Sequence, residues 1–118
     1  MEMNVELLDS GIKKINLLGK MDIEGTQEIA LKLTFETTVE KAFVIVDLSH
    51  VDFMASIGIG ALINAAKSLR LRKGKMVLLN PQPYVGDVLE KTQISSILPI
   101  CQSFEEAKKA LLDIPSYQ

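Results

Sequence analysis

The 118-residue chain has no tryptophan, one cysteine (Cys101), one histidine (His50) and only 5% aromatic residues. A single cysteine excludes an intrachain disulfide and a thiolate zinc cluster. Its setting, Ile97-Leu98-Pro99-Ile100-Cys101, is apolar and predicts a buried, inert thiol. Positive charge is not in excess: the net charge is −2, so the electrostatic footprint that nucleic acid or anionic lipid requires is missing. No uninterrupted apolar run approaches the roughly 20 residues that span a bilayer, which excludes membrane insertion by a helix. Met1-Glu2-Met3-Asn4-Val5-Glu6 has neither the basic start nor the apolar core of a signal peptide, so a cytoplasmic location is expected. Linkers, repeats and low-complexity tracts are absent as well. With 47% hydrophobic and 24% charged residues, the composition is that of one globular domain spanning residues 1–118.

Chemical motifs are equally scarce. Gly58-Ile59-Gly60 hints at a dinucleotide fingerprint, but Ile63 occupies the place of the third glycine. The strand before it is read as ending about ten residues earlier. No phosphate-binding loop and no Gly-x-Ser-x-Gly elbow occurs. Asp47, His50, Asp52 and Ser56 are the residue types of a hydrolytic triad within one expected connector. A triad is defined by geometry, however, and a lone histidine in a connector is ordinarily a turn or surface residue. The sequence argues against an enzyme and calls for no cofactor or metal.

What is present is a regular alternation. Residues 4–8 and 12–18 read as two strands joined by the turn Asp9-Ser10-Gly11, glycine supplying the positive φ; the polar residues Lys14 and Asn16 make one face of this hairpin wet. A helix is expected over 24–37, with Ile29, Leu33 and Glu36 on one stripe and Thr37-Thr38 weakening its end. Residues 43–46 form a buried strand. After a polar connector a helix runs over 56–73, with Ile59, Leu62, Ile63, Ala66 and Leu69 inward and Gly74 as a left-handed cap. Arg70, Arg72 and Lys73 complement its dipole without needing a ligand. A strand at 75–79 follows, then a helix opened by the prolines of Asn80-Pro81-Gln82-Pro83 and packed through Val85, Val88, Leu89 and Thr92. Residues 97–101 read as an edge strand because Pro99 cannot donate to a ladder. Ser103 and Glu106 form a capping box that opens a last helix, buried through Phe104, Ala107, Ala110 and Leu111.

The order β-β-α-β-α-β-α-β-α defines an α/β fold: a mixed, mainly parallel sheet of four to five strands with about four helices. Its focus is the junction after residue 46, since open α/β sheets bind at the carboxyl ends of their strands. Ser56 opens the helix there. Its default reading is an N-cap, and the same position also favours an anion through free N–H groups and the positive dipole end. Gly58 and Gly60 each cost about 1 kcal/mol relative to alanine in a helix, and they offer bare backbone to an approaching surface.

The stretch Val46-Asp47-Leu48-Ser49-His50-Val51-Asp52-Phe53-Met54-Ala55-Ser56-Ile57-Gly58-Ile59-Gly60 resembles the signature of STAS-domain anti-sigma factor antagonists. So do Gly19-Lys20-Met21-Asp22, Met76-Val77-Leu78-Leu79-Asn80-Pro81, Val88-Leu89-Glu90-Lys91-Thr92 and Ser103-Phe104-Glu105-Glu106-Ala107. The resemblance implies a partner switch. The unphosphorylated chain would bind an anti-sigma factor that is also an ATP-dependent serine kinase. Phosphorylation of Ser56 would separate the two, and a serine phosphatase would reset the cycle. Asp22, Met54, Ile57, Gly58 and Gly60 are then the partner contacts, and ATP belongs to the kinase. Two positions depart from the pattern: Ala55 stands where the family usually has aspartate, and Ile57 replaces a small polar residue. The alternative implied is a STAS interaction module without phosphorylation, in a larger signalling or transport-associated complex.

Overall fold

The computed structural model describes residues 1–8, 10–38 and 42–112. Five strands lie in a single sheet in the order of the sequence: β1 (Glu2–Leu7), β2 (Lys13–Met21), β3 (Phe43–Met54), β4 (Lys75–Leu79) and β5 (Ile100–Cys101). The β1–β2 pair is antiparallel and every later pair is parallel. Four helices connect or follow them: α1 (Ile23–Thr38), α2 (Ser56–Leu71), α3 (Pro83–Lys91) and α4 (Phe104–Leu112). The α/β class, the mixed sheet and the element order agree with the sequence reading. Asp9 and Lys41 lie outside the described residues. Gly11 does take positive φ (84°) and closes the turn through Leu8 and Ile12.

Two apolar layers sandwich the sheet. Ile15, Leu17, Val44, Val46 and Leu78 face the side covered by α1, α2 and α3, together with Ile29, Leu62 and Leu89. Ile12, Ile45, Val77 and Leu79 face α4, which contributes Ala107 and Leu111. The uneven cover follows from handedness. Strands laid down in sequence order step one way across the sheet, so right-handed crossovers put their helices on one face. Only the terminal helix is free to close the other. Cys101 is buried on the α4 side, and burial pushes its thiol pKa up, as expected of an inert cysteine.

Several boundaries differ from the pattern-based expectation. β2 continues through Gly19-Lys20-Met21 instead of leaving the sheet, and Gly19 (φ 116°) absorbs the irregularity. β3 extends to Met54, so the stretch taken for a polar connector is strand. Against β2 it carries two extra residues: Asn16 and Leu18 pair with Asp47 and His50, while Gly19 and Lys20 pair with Val51 and Phe53. These bulges turn the buried spacing from two to three, so that Leu48, Val51 and Met54 all reach the core. The last strand holds only two residues, because the Ile97 and Leu98 N–H groups both donate back to the Ile94 carbonyl of the 3₁₀ turn Ile94–Ser96 and so stay out of the ladder. Phe104 is partly exposed, and Thr92 ends α3 outside the core. At α4, Ser103 Oγ accepts from the Glu106 N–H at 3.1 Å, while Glu106 accepts from Gln102 rather than Ser103.

The end of α2 also differs. Lys73, not Gly74, takes the left-handed conformation (φ 63°). The Lys73 N–H donates to the Arg70 carbonyl and the Gly74 N–H to the Leu69 carbonyl, the paired bonds of a Schellman turn. Gly74 is required for another reason: a Cβ there would collide with the Ala42 carbonyl. Arg72 donates to the Ser68 carbonyl, so this basic residue is occupied with its own helix end. Replacing Lys73 by glycine relieves a left-handed side chain and is expected to stabilise the fold by about 1 kcal/mol. Gly74→Ala is expected to lower stability by about 1–3 kcal/mol. Chemical denaturation of the two variants against the parent checks both signs.

Candidate functional site: the paired helix starts beyond β2 and β3

The carboxyl ends of β2 and β3 finish level, Met21 opposite Met54. Each strand then turns directly into a helix, so the starts of α1 and α2 lie side by side. The joint is tight. The Ala55 N–H donates to the Met21 carbonyl at 3.0 Å, and a Cβ on Gly58 would stand 2.7 Å from Met21 Cγ. Only glycine lets the first turn of α2 approach the β2 end this closely.

The two helix starts are finished differently. Asp22 caps α1: its carboxylate accepts from the Gly25 N–H at 2.7 Å, and Glu24 lies in the first turn. Both place negative charge where the dipole favours it. Gly25 has no room for a Cβ, which would meet the Lys20 carbonyl. Its role was missed in the sequence, although Asp22-x-x-Gly25 before an apolar-periodic run was the available signal. The N-cap of α2 is Ala55, which has no side chain able to cap, and its first turn holds no acidic residue. Ser56 is therefore not the N-cap expected from the sequence; it is the first helical residue, exposed, and its hydroxyl has no hydrogen bond among the described residues.

The other predicted residues divide by orientation. Ile57 is exposed (39%), and nothing lies within 4 Å of a Cβ placed on Gly60. Met54 is buried, and Gly58 is buried against Met21. Asp22 is half-buried. Ser56, Ile57, Gly60 and Asp22 thus offer surface at this end of the molecule, and Met54 and Gly58 hold that surface in place from beneath.

The triad residue types do not converge. Asp47 accepts from the Ser49 N–H at 2.9 Å and lies 3.5 Å from Lys14 Nζ. Burial alone would push its pKa up, but the Ser49 hydrogen bonds and the Lys14 charge outweigh this and hold it below the usual carboxylate value. His50 is exposed and its Nδ1 is 3.2 Å from Ser49 Oγ, while Asp52 faces Lys20 at 3.9 Å. None of these contacts includes Ser56. No group of three or more potential metal ligands occurs among the described residues. The arrangement does not bring an acid, a base and a nucleophile together.

Comparison with known proteins identifies the family. The STAS domain family matches residues 8–107. The chain is 27% identical over 110 residues to BtrV of Bordetella bronchiseptica, covering 93% of this chain and 94% of BtrV. It is 26% identical over 102 residues to the anti-sigma-B factor antagonist of Listeria monocytogenes, covering 85% and 90% respectively. Among solved structures, the anti-sigma factor antagonist SpoIIAA in its unphosphorylated form superposes with a TM-score of 0.77 at 23% identity, over 97% of this chain and 99% of that one. SpoIIAA in the phosphorylated form gives 0.66 at 23% identity, over 92% and 98%. The chain belongs to the STAS domain family. The curated relatives described above are anti-sigma factor antagonists.

Two expectations follow from the site geometry. Gly58→Ala must displace Met21 and is expected to cost about 1–3 kcal/mol, whereas Gly60→Ala meets open space and should add up to about 1 kcal/mol of helix stability; thermal unfolding of the pair separates the two glycines. Because the folded-state pKa of Asp47 is depressed, its contribution is present above the unfolded carboxylate value, about pH 4, and is lost as pH falls through the folded value. Asp47→Asn should therefore lower stability at neutral pH and flatten its decline in acid, as measured by urea unfolding across that range.

Proposed function

We propose that this chain is an anti-sigma factor antagonist that works by partner switching from a cytoplasmic location. With Ser56 unmodified, the surface around the α2 start binds an anti-sigma factor that is also an ATP-dependent serine kinase. Phosphorylation of Ser56 ends that binding, and a serine phosphatase restores it. Ile57, Gly60 and Asp22 make the contacts; Met54 and Gly58 support them from within. As a single STAS domain the chain supplies the hydroxyl, and the ATP and catalytic groups belong to the kinase.

The observation that carries this reading is the unfinished start of α2. An exposed hydroxyl on the first helical residue sits where two free backbone N–H groups and the dipole favour an anion, and no side chain already fills that role. A phosphate there adds about −1.5 to −2 charge. The helix tolerates that charge. A partner surface closed over Ile57 and Gly60 does not. No helix among the described residues is long and apolar enough to cross a membrane, which fits a partner met in solution.

One observation favours a second reading, a docking module that is not phosphorylated. Ala55 supplies no acid beside the hydroxyl, and so no local charge to orient it or a magnesium ion in a kinase site.

The Ser56→Ala variant should bind the anti-sigma factor as well as the parent and take up no phosphate when the kinase and ATP are added. Ser56→Asp, carrying less charge than phosphate, should weaken binding about tenfold or more, the effect of placing one unpaired charge in an interface. Calorimetry and intact-mass measurement on the purified pair read both. Phosphate on another residue, or none at all with an active kinase, would leave the docking module as the function.

A further inference from the structure

The side of α1 and α2 turned away from the sheet is unusually apolar for a surface. Leu31 is 87% exposed and Phe35 62% exposed, one turn apart on α1, and Leu71 is 86% exposed on α2. Between the helices runs a shallow groove of about 290 Å³ whose walls are small side chains, among them Ala30, Thr34, Ala61 and Ala65. Knobs beside a groove of small residues are the two halves of a helix-packing surface, and here one chain carries both. Charge is distributed to match. The first turn of α1 bears Glu24, Glu28 one turn on being engaged by the Met1 ammonium, while α2 contains no acidic residue and carries Lys67 and Arg70 toward its end.

We infer that this outer face of α1 and α2 is a self-association surface on which two copies of the chain meet about a two-fold axis. An isologous interface must be complementary to itself. An axis lying between the two helical layers runs the helices of one copy opposite to those of the other, at an inclined crossing. The acidic start of α1 then lies over the basic end of α2 of the second copy, and the same contact is made twice. Leu31 and Phe35 stand between the two charge contacts and enter the groove opposite. This surface runs along the helices and reaches the end that carries Ser56 only at Glu24, and the inference does not depend on phosphorylation.

Sedimentation velocity on the purified full chain, from low micromolar to millimolar concentration, tests it. A reversible, salt-weakened monomer–dimer equilibrium is expected. Leu31→Asp and Phe35→Asp, both at exposed positions where circular dichroism should show an unchanged fold, should each weaken the dimer about tenfold or more. Glu24→Lys and Lys67→Glu should weaken it singly and restore it when combined in one chain, which a folding defect could not do. A monomer throughout the concentration range overturns the inference, and so does a dimer indifferent to Leu31→Asp. If the chain is monomeric and the same variants lose binding to the anti-sigma factor instead, the face belongs to that partner and not to a second copy.

Discussion

The rest of the structure depends on the joint between Met21 and the first turn of α2. Two parallel strands end at the same level, and one backbone hydrogen bond, from Ala55 to the Met21 carbonyl, ties the departing chain to its neighbour. Gly58 then lies against Met21 with no space for a methyl group. This close approach fixes where α2 begins and how it crosses the sheet. It also decides that Ser56, Ile57 and Gly60 face outward. A larger residue at 58 would tilt the helix and re-aim all three. The position of the exposed hydroxyl is thus a packing result, set by a buried glycine two residues further along.

The contrast between the two helix starts gives that position its chemistry. Adjacent helices of similar length begin at the same edge of the sheet, and one is capped by a carboxylate while the other is left open. Leaving a helix start uncapped ordinarily costs about 1 kcal/mol. At α2 that cost coincides with the serine, so stability is lower at the place where a negative group would be most welcome.

Much of this was legible in the sequence, and the losses have definite causes. Element order, the wet hairpin face, the inward stripe of α2 and that of α4 from Ala107 onward followed from periodicity. β3 was cut short because its two bulges replace alternation with a spacing of three at Leu48, Val51 and Met54, a pattern that matches neither strand nor helix. That error made a loop of Asp47, His50 and Asp52 and put them nearer one another than a strand allows. The two glycines of α2 looked alike in the sequence. They act in opposite directions, Gly58 inward and Gly60 outward, and only the position of Met21 across the sheet tells them apart. Lys73 in a left-handed turn was unreadable for a similar reason: glycine next to it is the expected occupant, and the Ala42 carbonyl that dictates Gly74 is distant in sequence.

The coincidence of strand order with sequence order bears on how the molecule is made. Each strand pairs with the one before it, so no strand waits for a partner yet to be synthesised. As the chain leaves the ribosome, β1 and β2 can close as a hairpin, and each strand–helix unit then adds to an existing edge. Every pairing after the hairpin is parallel and must close a whole crossover helix, which is slow compared with a hairpin, so each edge stays open until the next strand–helix unit has closed on it. The last strand contributes only two residues, so the growing edge is closed by a minimal piece of strand and by α4 packed behind it. A chain assembled in this way completes its central joint early: both β2 and β3 ends, and the two helix starts beyond them, are in place before the final third of the sequence has emerged.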